Sequence, residues 1–254
     1  MSFKDKLETI VDPAVGPVFD MVCGICLDGV AGAVIPGVGN MLLSYKQQRL
    51  EKNLEDFISQ VVKRQDELNQ RLEGLDSVKL KLIQEHYFGL VTDYVLDVKQ
   101  KAKIDYIVNG FINIAGMEEP QEDVILLFYD TLDQLNLLDI RVLKMYYYPS
   151  ISDDTYLMVC REYNLDTSQY RMVQEKLFRL GLLDSKNEEQ INNNIDELAE
   201  FLKGLESGKR NNKLKYKKVS TSDSYKITRY GNAFIRFFIT FKTSNEESGN
   251  SSEI

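Results

Sequence analysis

Hydrophobic residues recur at helical spacing along most of the chain, and the most regular pattern lies within residues 46–75. Four aliphatic residues there repeat every seven positions: Leu54, Val61, Leu68 and Leu75. Charged residues fill most of the positions between them, and Gln65 is the polar interruption of this seam. A sustained heptad of this kind is typical of a coiled coil. We therefore predict one long helix over 46–75 that mediates self-association.

The region that follows, up to residue 136, predicts further amphipathic helices. Ser77 is a suitable N-cap for the first of them, and a break is expected near Lys99–Lys103. Gly116 is a helix stop, and Pro120 suits the first turn of the next helix. The apolar spacing of that helix predicts a buried side made of Val124, Leu127, Phe128, Thr131, Leu132 and Leu135. Residues 46–136 are thus predicted to form one helical domain.

From about residue 137 the pattern becomes modular, with three short helices followed by short strands and a long insertion. The insertion carries an amphipathic helix at 188–206, whose apolar residues lie on one side: Ile191, Ile195, Leu198, Leu202 and Leu205. A returning strand at Tyr225–Thr228 leads into a terminal helix. This order is the outline of a winged helix-turn-helix. Residues 137–242 are therefore predicted to form a winged-helix-like module with a small β-hairpin, and 243–254 have the composition of a disordered tail.

The predicted fold class is therefore mainly α. A multi-helix body with a long coiled-coil-like helix precedes the winged-helix-like C-terminal module.

The N-terminal segment, 1–45, is unusual because residues 13–43 combine glycines with valine, isoleucine and alanine. Small residues recur within it, including Gly24, Gly29, Gly32, Ala33 and Gly37. Such spacing lets two backbones approach closely, as in associating membrane helices, whereas glycine destabilises a helix in water. Two interpretations stay open: a hairpin buried against the helical body, or a segment that lies on or inserts into a membrane and self-associates there. Asp20 and Asp28 oppose constitutive insertion, because charges are costly at the bilayer centre.

The composition narrows the class of protein. The chain has 254 residues, 43% of them hydrophobic, with a formal net charge of −8 and a pI near 4.9. This acidic balance argues against a protein whose whole surface binds nucleic acid. The sequence begins with mixed charges rather than a secretory signal, and no stretch is a clean spanning segment. We expect a cytoplasmic protein, with a peripheral position at the inner face of the cell membrane as the alternative.

Residues that commonly carry chemistry are sparse. Cys23 and Cys26 have the spacing of a redox or metal pair, but a zinc site needs further ligands. Cys160 and His86, the single histidine, are distant in sequence, and no nucleophile motif or phosphate-binding glycine loop accompanies them. We expect no catalytic residues, no metal and no cofactor, and a reducing compartment without disulfides.

Basic residues cluster in a loop that would form the wing. The cluster comprises Lys209, Arg210, Lys213, Lys215, Lys217 and Lys218. The predicted recognition helix of the module adds Arg171, Lys176 and Arg179. Together these residues are candidates for contact with DNA phosphates or with another anionic surface. The alternative is a solvated loop on a module that contacts another protein.

Two short motifs close the module, a Leu-Gly-Leu turn and an Ile-Thr-x-x-Gly-x-x-Phe ending. They comprise Leu180, Gly181, Leu182, Ile227, Thr228, Gly231 and Phe234. With the glycine-rich segment and the charged helix before them, they give a chain that resembles the abortive-infection alpha family of bacterial proteins. The resemblance implies a role in defence against phage, and it supplies no catalytic residues.

Two functions follow from these observations. The first is a non-enzymatic phage-defence protein of the abortive-infection type, which acts through protein contacts and, through residues 13–43, at the membrane. The second is a winged-helix DNA-binding regulator that dimerises through the 46–75 helix. A protein partner and a homo-oligomer are expected, and DNA is the less favoured partner.

Overall fold

The structure is a computed structural model, and it describes residues 41–148, 156–208, 213–220 and 224–239. The fold of these residues is mainly helical with a two-stranded antiparallel sheet, which confirms the predicted fold class. The chain divides into two units. Unit 1 comprises the described residues up to Leu137 and those from Arg236 onward, and unit 2 comprises the described residues of Leu138–Ile235.

Unit 1 is built from helices joined by short turns. They are α1 (Met41–Lys63), α2 (Gln65–Leu72), α3 (Ser77–Lys81), a π-helical turn (Leu82–Tyr87), α4 (Phe88–Asp97), a 3₁₀ turn (Lys101–Lys103), α5 (Ile104–Ala115) and α6 (Glu122–Gln134). α1 packs against α4 and α5, and α2 packs against α5. The N-cap of α3 is Asp76 rather than the predicted Ser77, because the Asp76 carboxylate accepts hydrogen bonds from the N–H groups of Val78 and Lys79.

The heptad residues of 46–75 lie in the core of unit 1. Leu54, Val61 and Leu68 are fully buried, and Leu75 is half-buried. The predicted single helix is interrupted at Arg64, where the backbone leaves helical geometry with φ −111° and ψ 21°. Because helices of the same chain already cover this seam, it is not available for a coiled coil in this fold.

Buried polar side chains satisfy two helix ends of unit 1. Asn53, which is 5% exposed, donates hydrogen bonds to the carbonyls of Val95 (3.1 Å) and Val98 (2.9 Å) at the end of α4. Lys103 donates to the carbonyl of Asp133 (3.0 Å) near the end of α6. The last carbonyls of a helix have no partner within the helix, so these side chains allow both ends to be buried.

Unit 2 contains the two strands and the remaining helices. They are α7 (Leu137–Tyr147), α8 (Tyr156–Glu162), α9 (Thr167–Arg179), β1 (Leu183–Ser185), α10 (Lys186–Glu206), β2 (Tyr225–Ile227) and α11 (Arg229–Phe238). The first residue of α7 and the last three of α11 belong to unit 1. The strands pair antiparallel, with Leu183 opposite Ile227 and Ser185 opposite Tyr225.

The closing motif has a packing explanation. Gly181 adopts φ +71°, a left-handed conformation that glycine reaches without a steric penalty. The Thr228 hydroxyl donates to the carbonyl of Gly181 (2.7 Å), and the Thr228 N–H donates to the carbonyl of Leu182 (3.1 Å). A side chain at Gly231 would collide with that Leu182 carbonyl. The motif residues therefore fix the start of α11 against the strand pair.

Candidate interaction surface of unit 2

α10 is held in unit 2 through its polar side. The side-chain amide of Asn194 accepts a hydrogen bond from the N–H of Lys217 (3.1 Å) and donates one to the carbonyl of Lys217 (2.8 Å). Two turns earlier in the helix, Asn187 donates to the carbonyl of Ser220 (3.0 Å). The extended segment 213–220 therefore runs antiparallel along this side of α10, fixed by two asparagines.

The apolar side of α10 is exposed. Five large aliphatic residues on it, which we call the apolar stripe, are between 44% and 57% exposed: Ile191, Ile195, Leu198, Leu202 and Leu205. An amphipathic helix of a globular protein normally buries its apolar side. α10 is therefore inverted: its asparagines make the contacts within unit 2 and its aliphatic residues meet solvent.

The segment beside α10 is rich in lysine, and we call residues 213–218 the lysine segment. Its lysines are Lys213, Lys215, Lys217 and Lys218, and all are exposed. Leu214 and Tyr216 between them are also exposed, by 44% and 64%. The lysine segment therefore presents a local positive charge on an otherwise acidic chain.

Two contacts fix the start of α10 to the sheet. Nζ of Lys226 on β2 lies 2.7 Å from Oε2 of Glu189, and this hydrogen bond lowers the pKa of Glu189 and raises the pKa of Lys226. The Ser185 hydroxyl caps the helix by accepting a hydrogen bond from the N–H of Glu188 (3.0 Å). Together they set the direction in which α10 leaves β1.

α9, the predicted recognition helix, begins with a complete capping box. The Asp166 carboxylate accepts from the N–H of Gln169, and the Gln169 side chain accepts from the N–H of Asp166. Arg171 and Arg179 are exposed on this helix, and Arg179 lies 3.8 Å from Glu175. Both arginines are thus placed where they can contact an external partner.

Lys176, the third predicted contact residue of α9, is engaged within unit 2. Its Nζ lies 2.5 Å from Oδ2 of Asp139 on α7, and Asp139 is 3% exposed. A buried carboxylate is costly unless a cation neutralises it. This ion pair therefore argues against the predicted contact between Lys176 and a phosphate.

α8 and α9 also expose large apolar side chains. Leu157 is 54% exposed, Met158 46% and Met172 68%. Helices that read DNA present mainly polar and basic side chains to the bases and phosphates, whereas methionine and other large apolar residues are enriched where proteins meet. The exposed side of α8 and α9 therefore has the character of a protein-contact surface.

The residues considered for chemistry do not come together in the described part of the chain. Nε2 of His86 in unit 1 lies 3.1 Å from Oε2 of Glu122, and both side chains are about half exposed. Cys160 lies on α8 in unit 2, where burial and the charge of Asp166 raise the pKa of its thiol. Among the residues with a described position, no group of three metal-ligating side chains is found.

Several predicted positions lie outside the residues that the structure describes. They are Cys23, Gly24, Cys26, Gly29, Gly32, Ala33, Gly37, Lys209 and Arg210, together with the predicted tail 243–254. Of the helices within the described ranges, none has both the length and the apolar character needed to cross a bilayer.

Comparison with protein-family models, curated proteins and solved structures gives no match to this chain. The resemblance to the abortive-infection alpha family therefore rests on the sequence features given above, chiefly the residues of the closing motif. Among them, Gly181, Thr228 and Gly231 have the packing roles described above, and Phe234 is fully buried. The motif residues therefore attach the start of α11 to the turn at Gly181 and Leu182.

Sequence reasoning recognised the apolar side of α10 but did not identify it as a surface. One signal was available, because asparagine recurs at positions 187 and 194 on the neighbouring side of the helix. Asparagine side chains both donate and accept, which suits them to hold a main-chain segment. That pattern indicates which side of the helix is attached.

Proposed function

We propose that this protein acts in bacterial phage defence as a non-enzymatic contact protein, and that unit 2 docks a protein partner. The resemblance of the closing motif supports the defence role. The exposure of Leu157, Met158 and Met172 on α8 and α9 is the observation that carries the protein contact. Residues 13–43 are proposed to act at the membrane, in keeping with their glycine-rich apolar composition.

Exposed methionine and leucine side chains suit a docking role for a physical reason. Burying them against a partner removes apolar surface from water, at roughly 25 cal/mol per Å². Methionine adapts its unbranched side chain to an irregular partner surface. The proposal therefore places the partner against apolar residues and treats Arg171 and Arg179 as the polar rim.

The test is a plaque assay on bacteria that express the chain. We expect fewer plaques than with an empty vector, and we expect the Leu157→Asp/Met172→Asp variant to lose this protection. The matched control is Asn193→Asp/Lys203→Gln, which changes the net charge equally and alters exposed positions of α10. Protection that survives in the first variant would refute docking through α8 and α9. Equal plaque numbers with vector and intact chain, over a broad phage panel, would refute the defence role.

The alternative function is a winged-helix DNA-binding regulator. The order of α7, α8, α9, β1 and β2 favours it, because the lysine segment then falls between the strands, where a wing lies. Fluorescence anisotropy on duplex DNA at increasing salt tests it. Replacing the four lysines of the segment by alanine should flatten the plot of log affinity against log salt by up to about 0.9 per lost phosphate contact.

Lys176→Ala is the matched control for the DNA test. Because Lys176 pairs with Asp139, its replacement should leave the salt slope unchanged in any protein that remains folded. A chain that is not retained by DNA at low salt would exclude this function.

A further inference from the structure

The apolar stripe of α10 follows a heptad repeat. Successive members are separated by four, three, four and three residues: Ile191, Ile195, Leu198, Leu202 and Leu205. This spacing places Ile195 and Leu202 at position a of the heptad and the other three at position d, while the first a position of α10, before the stripe begins, holds Glu188. A strict a/d stripe with period 3.5 is narrower than the side by which a helix usually joins a globular core, and it matches the seam of a coiled coil.

The residues next to the seam are compatible with a second identical helix. Position e holds Asn192, Ala199 and Glu206, and position g holds Asn187, Asn194 and Phe201. Lysine and arginine are absent from both positions of α10, so like cations do not face each other across the seam. The central pair of the stripe, Ile195 at a and Leu198 at d, has the combination that favours two parallel strands.

We propose that the apolar stripe binds a second copy of this chain, and that the two α10 helices form a parallel, in-register coiled coil. This inference rests on α10 and its flanks, and it does not depend on the defence role.

The charges flanking the stripe support the parallel arrangement. The lysine segment lies on the side of Asn187 and Asn194, that is, at the g side of α10. The opposite, e side carries the exposed carboxylates of Glu206 at position e and Asp196 at the adjacent position b, where Lys203 is the single cation of α10 on that side. In a parallel pair, the g side of one helix faces the e side of the other. The lysine segment of each copy then faces the acidic side of the second copy.

The size of the surface is consistent with this pairing. α10 has 21 residues, so it is about 31 Å long at 1.5 Å per residue. Five aliphatic side chains that are each about half exposed make an apolar patch on the order of several hundred Å², which marks an interaction site on a soluble protein. Leu214 and Tyr216 of the lysine segment add exposed apolar surface beside it.

An anionic lipid surface fits α10 less well than a second copy. Helices that lie on such membranes carry mainly lysine and arginine on their polar side. α10 carries six acidic residues and two lysines. Together with the lysine segment it carries six acidic residues and six lysines, so it offers no excess of positive charge to an anionic membrane. A second copy, in contrast, presents its lysine segment to each acidic side.

The mass of the intact chain, measured by light scattering during gel filtration and by sedimentation, tests the proposal. We expect twice 29.3 kDa for the unchanged chain at micromolar concentration. The Ile195→Asp/Leu202→Asp variant should have the mass of one chain, because carboxylates at two a positions disrupt the seam. The Asn193→Asp/Lys203→Gln variant, with the same change in net charge, should remain a dimer.

Thermal unfolding of the same proteins shows whether the stripe is instead covered by a segment of its own chain. Because the stripe is half exposed within one chain, the monomeric variant should keep its circular dichroism spectrum and still unfold cooperatively. Its unfolding temperature should be lower than that of the dimer, since association stabilises the folded chain by mass action. Loss of the spectrum or of cooperative unfolding in that variant would overturn the proposal, as would an unchanged chain that is a monomer throughout. A dimer that survives Ile195→Asp/Leu202→Asp would also overturn it. Stripe-dependent binding of a monomer to phosphatidylglycerol vesicles would assign the stripe to lipid instead.

Cross-linking tests the direction of the pair. In a chain whose native cysteines are replaced by serine, Ile195→Cys should give an oxidised covalent dimer. Residue 195 then lies opposite residue 195 of the second copy, within the distance that a disulfide spans. Asn193→Cys, on the outer side of the helix, should not cross-link. A dimer in which Ile195→Cys fails to cross-link would overturn the parallel arrangement.

Discussion

Asn109 donates a hydrogen bond of 2.7 Å to the carbonyl of Phe238, which lies 129 positions further along the chain. One turn later in α5, Asn113 donates to the carbonyl of Phe237 at the same distance. The oxygens of these two amides accept from Arg64 and Arg71, respectively. This polar ladder satisfies the last carbonyls of α11, which would otherwise lack partners inside unit 1.

Glu67 connects the two arginines of the ladder. Its carboxylate lies 2.6 Å from Arg64 and 3.0 Å from Arg71, and all three residues belong to the α1–α2 region. The arginines are therefore pre-oriented before they meet α5. Fully connected networks of this kind favour one arrangement of a core over its alternatives.

Phe238→Ala should destabilise unit 1 by about 3–5 kcal/mol, because it removes a large, fully buried side chain. Urea unfolding followed by circular dichroism measures the change. Tyr45→Ala is the matched aromatic control, since Tyr45 is 62% exposed, and we expect it to change stability by no more than about 0.5 kcal/mol. Similar unfolding midpoints for the two variants would contradict the assignment of Phe238 to the core.

Gly110→Ala should destabilise unit 1 by roughly 1–3 kcal/mol, because a methyl group there has no room. A Cβ at this position would lie 2.6 Å from the Phe238 ring and 2.6 Å from the Tyr129 hydroxyl. Gly89→Ala is the control in the same unit, since nothing lies within 4 Å of its Cβ position. It should be neutral or stabilising by up to about 1 kcal/mol, since alanine is the better helix former. Equal unfolding midpoints for both variants would show that the Phe238 ring and the Tyr129 hydroxyl can move aside without a loss of stability.

The heptad patterns of this chain show how far periodicity alone predicts structure. The repeat of Leu54, Val61 and Leu68 and the repeat of Ile195 and Leu202 both indicate helical structure with one apolar side. Both regions are helical, the first with an interruption at Arg64. Whether that side is buried by other helices of the chain or exposed to solvent depends on where those helices lie. The sequence pattern of a single helix does not contain this information. The sequence therefore predicts both stripes and assigns self-association to the one that the core covers.

The sequence predicts two helix boundaries of unit 1, and it predicts the buried side of α6 only in part. The break after α4 and the stop at Gly116 follow from local residue preferences and are found in the structure. On α6, Phe128 and Leu132 are buried as predicted, but the prediction that Val124 and Leu127 are buried is wrong, because they are 49% and 54% exposed. The buried side of this helix is shifted toward Ile125 and Tyr129, since the Tyr129 hydroxyl donates to the carbonyl of Ile107 (3.0 Å).

The sequence identifies basic residues as candidate contacts, but it does not show which of them remain exposed in the fold. Arg171, Lys176 and Arg179 are indistinguishable by sequence because all are basic residues of one helix. The ion pair with Asp139 distinguishes Lys176 from the two arginines. Asp139 lies 37 positions earlier in the chain, and only the fold brings it next to Lys176. Ion pairs between distant segments leave no local pattern.

Lys176→Met should destabilise unit 2 by roughly 2–3 kcal/mol, because it leaves the Asp139 carboxylate buried without its cation. The expected loss is below the 3–5 kcal/mol of fully buried pairs, since the Lys176 side chain is 36% exposed. Adding Asp139→Asn should restore most of the stability. Urea unfolding of the single and double variants measures this coupling. Additive losses in the double variant would show that the two residues act independently.

Deletion of residues 13–40 should abolish membrane association without unfolding the rest of the chain. The deletion ends before Met41, where α1 begins, and it leaves the buried Leu54 and Phe57 in place. Bacteria that express the intact chain or the deletion are fractionated, and each fraction is probed for the protein. We expect the intact chain in the membrane fraction, extractable by detergent, if residues 13–43 act at the bilayer as proposed.

The companion variant for this experiment is Gly29→Leu/Ala33→Leu, which raises apolarity but blocks close backbone approach. If residues 13–43 act by self-association at the membrane, this variant should stay in the membrane fraction and lose protection in the plaque assay. If residues 13–43 only anchor the chain, the variant should stay in the membrane fraction and keep its protection in the plaque assay. An intact chain found wholly in the soluble fraction, during phage infection as well as before it, would refute the membrane role and leave the surfaces of unit 2 as the basis of function.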